Sequence, residues 1–416
     1  MNMKTTMIAL AALAMSGTAV EAAVSVSNVV CTQQYPWNGK VDIDYEVFAD
    51  DPAADVWVYA TGFDKDANVS MGVRAISGDG ANAPVKPGKH RMTWDVTNDY
   101  PGFNTTKFTV KMTALTGGAP YMVVDLSGGV DALSYPVSYL SSVPAGGWTD
   151  EYKTTKLVLR LIPPGTFMMG SPSDELGRDS NETLHQVTLT KPFYIGVFEI
   201  TQKQWQLVLG SNPSYWQGDL RPVERVSYTM IRGGINGIAY PVHDQVDANS
   251  FIGRLRSKIN MLFDLPTEAQ WEYACRAGTS SALNNGKNIS QTGSCDEADE
   301  VAVCRGTVAI VGTKMCNAWG LYDMHGNISE WCRDVYASSL GTSSVVDPVG
   351  RMNSTATDRV VKSGCARQHG AYDDYNGHAA GIRSARRMSC GQDGYWFSDW
   401  SGYSDGGLRV VCLPAE

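Results

Sequence analysis

The sequence predicts two units of different class: an all-β sandwich near the N-terminus and a larger, irregular α+β domain after it. Three observations carry this. Lys40–Ala49, Asp55–Phe63, Lys89–Val96 and Lys107–Leu115 each alternate or cluster β-branched and aromatic residues, with Gly/Pro turns between them. Thr201 and Thr267 each stand three residues ahead of a glutamine (Gln204, Gln270) at the head of an apolar run, which predicts two capped helices. Forty-two glycines and 11 tryptophans in 416 residues indicate many turns around aromatic-rich cores.

Residues 1–23 read as a secretory signal: Lys4 gives the basic start, Met7–Met15 the apolar run, and small residues around Ala22 the cleavage site. That run is too short to span a bilayer and no other resembles it, so a secreted or periplasmic product without a membrane span is expected. Residues 24–115 are expected as a β-sandwich of the immunoglobulin or fibronectin class, because the short strands recur at that spacing. Trp94 is expected in its core, and nothing in it looks catalytic. Residues 116–156 read as a connector, with Tyr121–Leu126 and Tyr135–Leu140 as short strands available to either neighbour. Residues 157–416 form the large unit. Its helices are expected at Thr201–Gly210, Thr267–Gly278 and, with a weaker signal, near Ser250–Lys258.

A net charge of −9 with no basic stripe argues against a nucleic-acid partner. Nine cysteines in an exported chain point to disulfides, and the odd number leaves at least one thiol without an intrachain partner. Cys295 and Cys304 flank a short acidic loop and are candidates for a local pair. The absence of CxxC and the scatter of six histidines argue against zinc. No GxSxG, Walker or dinucleotide glycine motif occurs.

The densest local signal is GLYDMHGNISEWC, Gly320–Cys332. Asp323 and Glu330 supply two carboxylates, Gly326 allows a turn between them, and large apolar residues anchor both ends. Such a loop offers the mixed carboxylate and carbonyl oxygens that calcium takes.

With IPPGTFMMGSPSDE (Ile162–Glu175), FEITQKQW (Phe198–Trp205) and LPTEAQWEYACRAG (Leu265–Gly278), this loop makes four blocks in the order found in the sulfatase-modifying-factor family. A fifth, weaker block runs from Val360 to Val411. The chain resembles that family, whose founding members are formylglycine-generating enzymes, from about Leu157 to Pro414. The resemblance implies an irregular α+β domain related to the C-type lectin fold. It also implies a calcium ion held by the Asp323 side chain, the carbonyls of Gly326 and Ile328, and Glu330. A second family calcium site would fall at Ser294–Arg305, which here is a cysteine-bracketed acidic loop.

The family's oxidases use a C-x4-C pair that binds Cu(I), before an Arg-rich strand. Counted from the glycine block, the two positions are Gln368 and Asp373; counted back from the strand, Asp374 and Ala379. None is cysteine, so copper is not expected. The resemblance also implies a disulfide from the WEYAC cysteine, Cys275, to the Arg-rich strand, where Ser384 stands instead. Cys365 and Cys390, 25 residues apart, are expected in structural disulfides. The vacated region is rich in Tyr, Trp, Ser, Gly and Asp, the composition of recognition loops. Tyr372, Tyr375, Tyr395, Trp396, Trp400 and Tyr403 are the candidate ligand-binding residues. The sequence therefore reads as a non-oxidase, lectin-like binding protein with structural calcium and a glycan, protein or peptide ligand. The alternative is a formylglycine-generating oxidase.

Overall fold

The structure is a computed structural model that describes residues 24–64, 69–73, 75–81, 84–99, 108–116, 120–140, 143–162, 165–233, 246–304, 306–350, 358–366, 379–391 and 406–413. The expected signal segment, 1–23, lies outside the described residues. Strands predominate and helices are few.

In the N-terminal part, Val24–Gln33, Lys40–Ala49, Gly88–Asp95 and Ile76–Gly78 form one antiparallel sheet in that order. Val69–Gly72, Val56–Asp64 and Phe108–Thr116 form a second. Lys40–Ala49 shows why: Ile43, Tyr45 and Val47 are buried and alternate with Asp44 and Glu46, the period of a strand with one covered face. They share one apolar cluster with Val56, Val58, Ala60 and Met112 of the other sheet. Trp94 is fully buried in that cluster, 5.3 Å from the Phe108 ring. The first strand, Val24–Gln33, is not among the strands expected from sequence; its register against Lys40–Ala49 shifts between Ser27 and Val30.

The connector is not a separate linker. Tyr121–Asp125 and Val137–Leu140 extend a six-stranded sheet ordered Leu262–Asp264, Val411–Leu413, Phe193–Gly196, Lys156–Ile162, Tyr121–Asp125, Val137–Leu140. Tyr121–Asp125 pairs antiparallel with Lys156–Ile162, with Asp125 opposite Lys156. All four residues Tyr121–Val124 are buried, so the segment needs cover on both faces, which the large unit provides.

Both expected capping boxes form. Thr201 accepts from the Gln204 amide and Gln204 reaches back to Thr201, opening Gln202–Leu209, which Gly210 closes at φ 83°. Thr267 and Gln270 open Glu268–Arg276 in the same way. This second helix turns off at Ala277, φ 46°, one residue before the expected glycine. Ser250 caps Phe251–Ile259, whose Phe251 stacks on Trp205 at 4.8 Å. Ser329–Val335 lies inside a sheet ordered Met388–Gly391, Asp358–Lys362, Ser329–Val335, Gly406–Gly407, and this strand carries Glu330. Among the described residues, no helix is long and apolar enough to cross a membrane.

Candidate functional site

The loop Gly320–Cys332 is buried throughout its second half. Asp323, Gly326 and Asn327 all take positive φ (54°, 73° and 59°), the left-handed conformation that non-glycine residues rarely adopt. A side chain at Gly326 would place its Cβ 2.4 Å from the Val303 carbonyl oxygen, which is why this position needs glycine.

Five chain segments hold the loop. The Asn327 amide nitrogen donates to Glu199 Oε2 at 2.6 Å, and the Ile328 backbone N–H donates to Glu199 Oε1 at 3.2 Å. The Gly312 N–H donates to Asp323 Oδ2 at 2.6 Å, and Asp323 Oδ1 is buried without a hydrogen-bond partner. Ser363 Oγ donates to the Gly326 carbonyl at 3.0 Å. Arg409 and Trp271 both donate to Glu330. Asp323, Gly326, Ile328 and Glu330 are all buried. Glu199 is the site residue that sequence reasoning misses. Its signal is present: an acid set between Phe198 and Ile200 in the FEIT block, all three buried.

Burial pushes the Glu199 carboxyl well above its ordinary range, and the charges of Asp323 and Glu330 push the same way. Burial likewise raises Asp323 to about 6, against the pull of the Gly312 N–H. Glu330 is engaged by Arg409 and Trp271, and Asp323 Oδ1 is the side-chain oxygen of the expected calcium set left without a hydrogen-bond partner. Among the described residues, no group of three or more His, Cys, Asp or Glu side chains is arranged to hold a metal. In the acidic loop, Glu300 pairs with Lys287 at 2.6 Å, and Lys314 donates to the Asp299 carbonyl. The Cys304 thiol donates to Asp299 Oδ1 at 3.6 Å there, rather than bonding to Cys295.

Cys275 lies beside the same loop. Its sulfur is 3.6 Å from Ser384 Oγ, 3.7 Å from the Met324 carbonyl and 3.7 Å from His325 Nε2. Burial drives this thiol up to about 12, although the Ser384 contact opposes it. Burial lowers His325 to about 4. Its ring is pinned: Nε2 accepts the Asn284 N–H at 3.0 Å, which leaves Nδ1 to donate to the Ile382 carbonyl at 2.6 Å. Burial, then the charges of Asp334 and Glu268, also hold Cys332 well above the ordinary thiol range.

Of the expected copper-pair positions, Ala379 is buried, and Gln368, Asp373 and Asp374 lie outside the described residues. Cys365 and Cys390 are buried. The ligand-binding candidates Tyr372, Tyr375, Tyr395, Trp396, Trp400 and Tyr403 also lie outside the described residues.

Residues 149–394 match the family described as "Sulfatase-modifying factor enzyme 1-like domain". The chain belongs to this family. It is 30% identical over 211 residues to "Chaperone protein LppX" of Paenibacillus barcinonensis, covering 42% of this chain and 70% of that one. It is 25% identical over 251 residues to "Inactive C-alpha-formylglycine-generating enzyme 2" of Bos taurus, covering 49% and 79%. It is 34% identical over 258 residues to "Formylglycine-generating enzyme" of Bos taurus, covering 52% and 67%.

Proposed function

We propose that this chain is a non-oxidising member of its family that binds an exported polypeptide or glycan through its C-terminal aromatic loops. The observation that carries the reading is the missing C-x4-C pair. Cu(I) needs soft thiolate ligands, and Gln368, Asp373, Asp374 and Ala379 supply none. Family membership alone does not assign oxidation, since active and inactive relatives share it.

In this reading the large unit is a C-type-lectin-related scaffold, residues 24–115 are an immunoglobulin-like module, and residues 1–23 direct export. Tyr372, Tyr375, Tyr395, Trp396, Trp400 and Tyr403 give contact area at low entropic cost, and the intervening Ser, Gly and Asp residues give adaptable hydrogen bonds. The relative named as a chaperone favours a polypeptide as the first ligand class to test.

The test has two arms. Protein supplied with Cu(I) and air is incubated with a peptide carrying CxPxR, beside an active formylglycine-generating enzyme, and the peptide is weighed by mass spectrometry. An unchanged peptide is expected; an aldehyde product overturns the non-oxidase reading. Peptide and glycan arrays are then probed with the protein and with Trp396→Ala/Trp400→Ala/Tyr403→Ala. Binding lost in the variant is expected; binding equal in both sinks the assignment to these loops.

A further inference from the structure

We infer that the Arg409 guanidinium, and not a calcium ion, closes the loop Gly320–Cys332. Glu330 is fully buried, and an ionised carboxylate has about four lone-pair sites to fill. All four are taken. Oε1 receives Arg409 Nη2 at 2.9 Å and Nε at 3.2 Å. Oε2 receives Arg409 Nε at 3.0 Å and Trp271 Nε1 at 2.7 Å.

Arg409 gathers further oxygens. Nη1 donates to the Gly196 carbonyl at 2.7 Å, and Nη2 to the Tyr322 carbonyl at 2.8 Å, with the Asp323 carbonyl at 3.4 Å. One buried cation thus collects a carboxylate and carbonyls from two separate parts of the chain. That is the work a hard metal ion performs in such a loop, done here by a planar fork that cannot lose its proton.

Two further oxygens of the expected metal shell already accept hydrogen bonds. The Gly326 carbonyl accepts from Ser363 Oγ, and Asp323 Oδ2 from the Gly312 N–H. Asp323 Oδ1 remains open, whereas calcium takes six to eight oxygens. Register holds the arrangement. Glu330 lies opposite Lys362 in its sheet, and Arg409 leads directly into the strand Val411–Leu413, which pairs with Phe193–Gly196.

The full-length protein, purified and dialysed without chelator, is tested first for bound calcium by elemental mass spectrometry and for melting with and without EGTA. No stoichiometric calcium and an unchanged Tm are expected. One retained calcium per chain, or a Tm lowered by EGTA and restored by calcium, overturns the inference. Arg409→Met, Glu330→Met and the double variant are then melted together. The double variant is expected to lose less Tm than the two single losses added, because neither charge is left alone. Strictly additive losses show that the pair does not act as a unit and also overturn it. The calcium measurement decides the matter even where a variant does not fold.

Discussion

Ser384 Oγ stands 3.6 Å from the Cys275 sulfur, at the place where the family resemblance implies a disulfide. Both side chains are fully buried, and Ser384 Oγ also donates to the Ala282 carbonyl at 3.1 Å. A hydroxyl has replaced a sulfur in a space still shaped for the pair. Ser384→Cys is therefore expected to oxidise spontaneously with Cys275. Intact mass spectrometry should show the loss of two hydrogens, and alkylation should find one thiol fewer than in the parent. Closing a loop of this size should stabilise the fold by about 2–4 kcal/mol, less the cost of the lost Ala282 contact. One alkylatable thiol more than the parent in the unreduced variant would show that the geometry does not allow the bond.

Gly326 faces a different constraint. Its φ is 73°, and the Val303 carbonyl oxygen lies 2.4 Å from where a Cβ would stand, so alanine has no room. The left-handed conformation alone costs an L-residue about 1–2 kcal/mol, and the clash adds to it. Gly326→Ala should lower stability by about 2–4 kcal/mol, read as a fall in the urea midpoint. An unchanged midpoint would mean that the loop shifts away from Val303 freely.

Much of this is legible in the sequence, and the reasons for the rest are physical. Alternation announces Lys40–Ala49 because one face is covered and the other carries Asp44, which pairs with Arg91 at 2.6 Å. Capping boxes announce Gln202–Leu209 and Glu268–Arg276 because their hydrogen bonds join residues only three apart. The membership of Tyr121–Asp125 in the large sheet is not legible, since strand pairing is decided by partners far along the chain. The same holds for the site. Asp323 and Glu330 stand out in one short block, whereas Arg409 lies 79 residues beyond Glu330, and nothing local to GLRVV says which acid it meets. Glu199 is hidden because a lone acid beside apolar residues ordinarily reads as the exposed face of an element.

Asp334 gives a pH dependence. Burial raises its carboxyl from 3.8 to about 6, with the Glu268 charge adding, while the N–H groups of Glu268 and Gly350 pull it down. A folded value above the unfolded one means that the folded state holds this proton more tightly. Its contribution is full below about pH 4 and is lost as pH rises through about 6. The shift of about two units corresponds to up to about 3 kcal/mol. Asp264 runs the other way: burial would raise it, but Arg232, Arg333 and Arg256 hold it at about 2, so its contribution is lost only in stronger acid. Asp323 acts in the same direction as Asp334 between about pH 4 and pH 6.5 and His325 in the opposite one, so the comparison is with Asp334→Asn: its urea midpoint should fall less, or rise more, than the parent's as pH rises across that range. An equal change in the variant and the parent would exclude Asp334 as a contributor.

The last prediction separates buried from exposed ion pairs. Arg383, in the Arg-rich segment, is fully buried between two acids in and just after the first sequence block: Glu182 receives Nη2 at 2.7 Å and Nη1 at 2.9 Å, and Glu175 receives Nη1 at 2.5 Å. Arg383→Met would leave Glu182 buried without its cation, a defect that costs about 3–5 kcal/mol. Lys287 and Glu300 are paired at 2.6 Å with both side chains substantially exposed, and Lys287→Met should cost under about 1 kcal/mol. Salt distinguishes the two further. Raising the ionic strength should erase the effect of Lys287→Met, because water and ions already screen that pair. It should leave the Arg383→Met loss nearly unchanged, because the Arg383 guanidinium and the Glu182 carboxylate are closed to solvent. Urea unfolding of both variants at low and high salt measures this directly, and an Arg383→Met loss that disappears in high salt would place that pair in contact with solvent.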